Sequence, residues 1–298
     1  MNYIILDMEW DSAYFQKQKT FINQILQIGA VKLDSEFNVI DTFEKTIKSS
    51  ISKRVSGRFS RLTGITNDMM RAGISLKDAV LSYNEWVGND TITMTWSNSD
   101  LYSIIENEKN LLDGVKFKLE KYLDLQSFVQ NELRLKGAEI TSQISLSTAA
   151  EMLSVTTDGL DFHTAKDDSL VCAMLLKKCY NKQRFEALIK DTKNPEFYKK
   201  LFFKPYYITN LSDSAIDRVH LKFNCEKCGH RARRKTNFRY RNRWFCANFY
   251  CKNCGNEFSG RVCFRKTYDN VIVKKKVCEA KASKEKTAND MQPLSKTL

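Results

Sequence analysis

Asp7 and Glu9 stand two residues apart at the end of the apolar run Tyr3-Ile4-Ile5-Leu6. On a strand, that spacing sends both carboxylates to one face. Two like charges held so close are costly unless a cation neutralises them, and hard divalent ions such as Mg²⁺ or Mn²⁺ prefer carboxylate oxygens. An acidic pair at a strand end is often merely solvated, so its weight depends on partners farther along the chain. Asp100 comes after a second apolar run, TITMTW, and opens a helical segment, where it could equally be an N-cap. His163, one of three histidines, stands at a helix entrance five residues before Asp168. A lone histidine is commonly structural, but an imidazole beside such acids can exchange a proton near neutral pH.

A second constellation lies far downstream. Cys225-Glu226-Lys227-Cys228 and Cys251-Lys252-Asn253-Cys254 are two CxxC pairs with 22 residues between them, each followed by glycine. Four thiolates so arranged suit a structural, tetrahedral Zn²⁺ in a small β-rich zinc ribbon, whose folding would lean on the metal. Cys246 offers an alternative CxxxxC knuckle, although CxxCG is the tighter turn signal and favours Cys254. Cys263 and Cys278 have no partner at ligand spacing and read as free thiols, and Cys172 and Cys179 as buried core thiols in a helical pattern. Between the knuckles, Arg231, Arg233, Arg234, Lys235, Arg239, Arg241 and Arg243 are interleaved with Phe238, Tyr240, Trp244 and Phe245. Cations for phosphates alternating with rings for bases suit a nucleic-acid-binding hairpin, with a protein-binding ribbon as the competing reading.

The elements that must position these groups are legible in the periodicity. Tyr3 to Trp10, Gln24 to Leu33, Val39 to Ser49 and Thr91 to Trp96 read as strands. Helical spacing starts at Ser75 and returns over Leu101 to Leu112, Tyr122 to Leu135, Ser147 to Leu153 with Ser147 as N-cap, and Thr164 to Tyr180. Strands early and helices late predict an α/β domain with a mixed sheet. Residues 1–194 carry 24 Lys and Arg against 26 Asp and Glu, and residues 195–298 carry 24 against 9, so the net charge of +13 arises wholly in the last third. That block suits a phosphate backbone. No stretch approaches the ~20 apolar residues of a bilayer span, so we expect no membrane partner and a cytoplasmic protein.

The motifs LDMEW, WSNSD and HTAKDD, with QIGAVKLD, RLTGIT and YLDLQ in support, resemble the DnaQ-like exonuclease superfamily in its histidine-bearing DEDDh subgroup, across roughly residues 1–180. Their wording is similar to the Eri/KapD-like exonucleases. The resemblance implies a ribonuclease H-like mixed central sheet with flanking helices. It also implies that Asp7, Glu9, Asp100 and Asp168 hold two Mg²⁺ or Mn²⁺ ions while His163 is the general base, Asp167 pointing elsewhere. Two ions ~4 Å apart would bind the scissile phosphate from both sides, and nucleoside 5′-monophosphates would leave a 3′ end. Trp10, which stands where many relatives have a small residue or Thr, is with Leu62 and Trp96 a candidate for stacking on or wedging terminal bases. CGHRARRKT and CGNEF weakly resemble phage Ogr/Delta-type zinc fingers. The expected organisation is an exonuclease domain over 1–182, connecting helices over 183–218, a zinc-ribbon module over 219–278 and a disordered basic tail over 279–298. The expected substrate is single-stranded or 3′-overhanging nucleic acid, RNA before DNA. The alternatives are a non-catalytic nucleic-acid-binding regulator on a nuclease-like scaffold, and a proofreading exonuclease that works beside a DNA polymerase.

Overall fold

The computed structural model describes residues 2–279, which fall into two units that divide between Leu201 and Phe202. The stretch expected to connect two domains is therefore shared out. Residues 183–201 complete the first unit, and 202–218 begin the second. The expected tail starts one residue early, because Glu279 closes the last strand, and residues 280–298 lie outside the described residues. No described helix is long and apolar enough to cross a membrane.

The first unit runs β1 (Asn2–Phe15), β2 (Thr20–Leu33), β3 (Val39–Thr46), α1 (Gly57–Thr63), α2 (Asn67–Ala72), α3 (Leu76–Val87), β4 (Thr91–Thr95), α4 (Ser99–Leu111), β5 (Lys121–Asp124), α5 (Leu125–Leu135), α6 (Leu146–Met152), α7 (Ala165–Cys179), α8 (Lys182–Leu188), β6 (Lys190–Asp191) and α9 (Pro195–Phe202), the last crossing into the second unit. The sheet has the order β3-β2-β1-β4-β5-β6. Its first three strands are antiparallel, β4 and β5 run parallel to β1, and β6 is antiparallel, which makes the expected mixed sheet.

Alternation along β1 decides what each face of the sheet receives. Tyr3 and Ile5 pack with Phe128 of α5, Ala149 of α6 and Val171, Cys172, Leu175 and Cys179 of α7. Ile4, Leu6 and Met8 pack with Val80 and Tyr83 of α3 and Leu101 and Ile104 of α4. Each large aliphatic side chain so buried stabilises the fold by roughly 1.5–3 kcal/mol. Asp7 and Glu9 continue the first of these series and so come out on the α7 side.

Two local expectations are corrected. Tyr122 to Leu135 is not one helix: Lys121–Asp124 is a strand beside β4, and the Asp124 carboxylate then caps α5 by accepting from the Ser127 N–H at 2.9 Å. A period of 3.6 does not reveal a four-residue strand fused to a helix. The α6 N-cap is Ser145 rather than Ser147, its hydroxyl accepting from the Thr148 N–H at 3.1 Å. Helices α1 and α2, too short for a periodicity signal, are additions to the sequence reading.

Gly29 sets the distance between sheet and α7. A Cβ there would lie 2.3 Å from the backbone of Ala165 and Lys166, closer than any real contact. The helix is held at that distance by Gln27, whose Oε1 accepts from the Ala165 N–H at 3.3 Å, and by the Ser169 hydroxyl.

The second unit is β-rich. It comprises β7 (Tyr206–Tyr207), a 3-10 turn at Arg218–Leu221, β8 (Arg233–Arg234), β9 (Arg239–Arg241), β10 (Trp244–Tyr250), β11 (Glu257–Lys266) and β12 (Val271–Glu279). The sheet order is β12-β11-β10-β8, with β9 also on β10 and β7 also on β11. Asn242 and Arg243, both with positive φ, make the tight turn between β9 and β10. Phe223, Phe245, Phe249, Phe258, Val262 and Phe264 fill its core.

Gly29→Ala is expected to lower stability by about 1–3 kcal/mol, since α7 must move off the sheet. Urea unfolding of the full chain would measure this, with Gly57→Ala, where nothing lies within 4 Å, as a near-neutral control.

Candidate active site and cysteine cluster

The acidic groups converge where β1 outruns its neighbour. The ladder between β1 and β4 stops at Ile5, and the Met8 N–H beyond it donates instead to Asp100 Oδ1 at 3.2 Å. Asp100 sits in the first turn of α4, buried to 3% exposure, and is not the N-cap, a place taken by Asn98. Asp7 and Glu9 face Asp168 from α7, and one carboxylate oxygen from each of the three lies within 4.8 Å of the others. Asp100 does not lie within that distance of all three, and adds a fourth carboxylate beside Asp7.

A register shift opposite Glu9 and Trp10 shapes the rim. Glu9 pairs with Gln27 and Trp10 with Ile25, so Leu26 is an extra residue on β2, anchored in its own cluster with Val55, Phe59, Ile65 and Met70. Bulges of this kind bend a strand and re-aim side chains near functional sites. Asp11, two residues beyond Glu9, accepts from the Ser56 N–H at 2.6 Å and the Ser56 hydroxyl at 2.9 Å. That tethers the N-terminus of α1, and hence Leu62, to the strand that carries the acids. Asp11, Gln27 and Gly29 escape a reading of the sequence because their roles depend on partners distant in the chain.

Burial, reinforced by Asp100, Asp168 and Glu9, drives Asp7 well above the usual carboxylate range. Burial, then Asp168 and Asp100, pushes Glu9 up to about 8. Asp100 rises to about 7 through burial, against the pull of backbone hydrogen bonds that include Met8's. Asp168 rises to about 6 through burial, opposed by the His163 N–H, which donates to Oδ2 at 3.3 Å. The other oxygen, Oδ1, is buried with no hydrogen-bond partner. A buried acceptor without a donor, within a cluster of like charges, fits a hard divalent cation.

His163 is exposed and takes a left-handed backbone, φ 71°, at the entrance to α7. That conformation turns the chain so that its own N–H meets Asp168, which fixes the histidine beside the acids. Asp167 points away and accepts from the Asp161 N–H at 3.1 Å. Trp96 packs against the core on the acidic face, with its indole N–H buried and unpartnered. Leu62 is half exposed. Trp10 does not join them, because it leans on the opposite core beside Met8 and Ile25.

In the second unit, Cys225, Cys228, Cys251 and Cys254 meet, with sulfur separations of 3.6 Å for Cys225 and Cys254 and 3.4 Å for Cys228 and Cys251. The two knuckles are built alike. Gly229 N–H donates to the Cys225 carbonyl and Gly255 N–H to that of Cys251, both glycines near φ +70°. Cys225 and Cys251 N–H groups then bond the carbonyls of His230 and Asn256. The His230 N–H holds the Cys228 thiol down at about 6. Such a closed thiolate set is compatible with zinc. Cys246 is elsewhere, on β10.

Of the basic stretch, Arg239, Arg241 and Trp244 share the open face of the sheet. Tyr240 does not: it lies on the other side, 5.0 Å from the Phe245 ring. Arg234 lies over Phe238, Arg243 over Tyr207, and Lys235 pairs with Glu257 at 2.6 Å, while Arg231 and Arg233 are exposed beside the knuckles.

Taken together, the sheet order, the flanking helices and the acidic cluster on β1 just past its pairing with β4 define a ribonuclease H-like nuclease domain. An exonuclease family model matches residues 15–176, more than half of the chain, and the chain belongs to that family. The first acidic pair lies just upstream of the matched span, and the structure brings it to the site. The chain is 24% identical over 194 residues to the DNA polymerase III PolC-type of Clostridium perfringens, and 25% identical over 224 residues to that of Thermotoga petrophila. These alignments cover 64% and 75% of the chain but only 12% and 14% of the polymerases. Among solved structures, cell-death related nuclease 4 (CRN-4) superposes with TM-score 0.51 and 21% identity, over 59% of this chain and 62% of that one. The nuclease domain of 3′hExo, a DEDDh family member bound to rAMP, does so with TM-score 0.51 and 20% identity, over 59% and 90%. These two likenesses concern the fold.

The raised carboxylates have a thermodynamic consequence. Between the ordinary value of 4.5 and about 8, folded Glu9 keeps a proton that the unfolded chain releases, so metal-free stability should fall as pH rises through that window. Asp7→Asn should raise the metal-free Tm at pH 8 by removing a carboxyl whose ionisation is opposed by burial and by the neighbouring acids. Mn²⁺ should raise the wild-type Tm and leave that of the variant nearly unchanged. Calorimetry across pH with and without Mn²⁺ checks both.

Proposed function

We propose that the chain is a metal-dependent 3′→5′ exonuclease that hydrolyses single-stranded or 3′-overhanging nucleic acid to nucleoside 5′-monophosphates. The observation that carries this reading is the convergence of Asp7, Glu9 and Asp168 on one point, with Asp168 Oδ1 left without a donor. Asp7, Glu9, Asp100 and Asp168 would hold two Mg²⁺ or Mn²⁺ ions. Bound there, such ions supply Lewis-acid activation of a water and neutralisation of charge on the phosphate and the leaving 3′ oxygen. His163, exposed beside Asp168, takes the proton from the attacking water. Leu62 on tethered α1 and Trp96 flank the site as surfaces for the terminal base.

The second unit, in this reading, holds substrate through its cations, and a structural Zn²⁺ on Cys225, Cys228, Cys251 and Cys254 holds the unit itself. RNA is the favoured substrate on the Eri/KapD-like resemblance of the motifs. The similarity to PolC-type polymerases supports a second reading, in which DNA is the substrate and the enzyme works beside a polymerase.

Wild type should release mononucleotides from the 3′ end of labelled single strands when Mg²⁺ or Mn²⁺ is present, with His163→Ala slower by about 10²–10⁴ and Asp7→Ala inactive. Digesting matched RNA and DNA strands side by side assigns the substrate, and retention of nucleic-acid binding without cleavage in any metal would instead leave a regulator. Metal analysis should find one zinc per chain, lost in Cys228→Ser and Cys254→Ser and kept in Cys246→Ser.

A further inference from the structure

The arginine-rich stretch between the knuckles reads as a linear basic motif, but strand register distributes its members and adds others. Arg239 on β9 is opposite Cys246 on β10, which is opposite Arg261 on β11, which is opposite Lys276 on β12. In the next row, Arg241 is opposite Trp244, and Cys263 is opposite Lys274. Directly paired residues project to the same face, so these rows lie side by side, ~7 Å apart along the strands. The reverse face carries Phe245, Phe249, Val262, Phe264, Val273 and Val277 and is the core of the unit. The cationic face looks outward.

This face is hollowed rather than flat. Arg239, Arg241, Trp244, Cys246, Asn248 and Arg261 line a depression of about 700 Å³. Arg261 lies in it with its Nε buried and without a hydrogen-bond partner, a donor lacking an acceptor. Among the described residues no ion pair engages Arg239, Arg241, Lys274 or Lys276. Glu257, at the far end of the same face, is neutralised by Lys235. The knuckle side differs, since Arg234 is occupied by the Phe238 ring.

We infer that the open face of the β9–β12 sheet is a platform for single-stranded nucleic acid, with Arg239, Arg261 and Lys276 in one row and Arg241, Trp244 and Lys274 in the next. Spaced cations bind phosphates irrespective of sequence, and the single indole offers a base a stacking surface. The platform rests on the reading of the chain as a nucleic-acid enzyme and adds to it three residues, Arg261, Lys274 and Lys276, that lie outside the arginine-rich stretch.

The test uses the full chain carrying Asp7→Asn, so that a fluorescent single strand of about 12 nucleotides stays intact during titration. Lys274→Gln with Lys276→Gln, both exposed and away from the core, should weaken binding about tenfold or more at about 0.1 M salt and make the log–log salt slope shallower by about 1.4. Trp244→Leu should weaken binding about fivefold or more with the slope unchanged. Arg233→Gln with Arg234→Gln should bind nearly as the parent does. Unchanged affinity and slope in the Lys274 and Lys276 variant, or an equal loss in the Arg233 and Arg234 variant, would overturn the platform. Zinc content confirms that each variant is folded. The catalytic reading is judged separately, by hydrolysis of the nitrophenyl ester of thymidine 5′-monophosphate. No cleavage by wild type would count against the enzyme and not the platform.

Discussion

The site depends on a helix lying directly on a strand. At Gly29 the backbone of α7 occupies the space where any other residue would place its Cβ. Gly29 is also the cross-strand partner of Asp7, so the point of closest approach is the point where the first carboxylate emerges. Gln27 and Ser169 hold the approach with hydrogen bonds to and from the first turns of the helix. Set back by the width of a methyl group, α7 would carry Asp168 out of the 4.8 Å circle it shares with Asp7 and Glu9. Packing and chemistry are here one constraint.

What this proximity creates is electrostatically unfavourable by itself. Three carboxylates converge beside a buried fourth, and all four are driven up in pKa, chiefly by burial. Natural folds keep such arrangements where the cost is offset by a ligand that the folded state alone can bind. The local hydrogen bonds agree with that view. Met8 and His163 direct their N–H groups to one oxygen each of Asp100 and Asp168, which fixes both side chains and leaves Asp168 Oδ1 without a donor. Positive φ at His163 serves the same end, since a helix entered in the ordinary conformation would aim that N–H elsewhere.

The carboxylates and the histidine are legible in sequence because their chemistry is tied to short spacings: two along a strand, five into a helix. Cys254 is legible over Cys246 for the same reason, a local turn that wants glycine. The supporting residues are not. Gly29 is one of 11 glycines, and nothing in its neighbours says that a helix 136 residues away will press on it. The short strand before α5 vanishes into a helical pattern because Tyr122 and Leu123 suit either element. Trp10 and Tyr240 stand out by residue type, but the alternation of their strands turns each to the wrong side for the role that type suggests.

Alternation also explains why the second unit can be read only in part. In the chain, Arg239, Tyr240 and Arg241 look like one mixed motif of cations and ring. In the sheet, Tyr240 goes to the core side while the two arginines join Trp244, and cations from β11 and β12, farther along the chain, complete the rows. A linear count of charge finds the right third of the molecule but cannot tell a scattered surface from an aligned one. Alignment matters, because phosphates along a strand are regularly spaced and only cations on one face can meet several at once. The two cysteine knuckles tie together the segments on either side of β8, β9 and β10, and a metal held by their four thiols would make that face rigid.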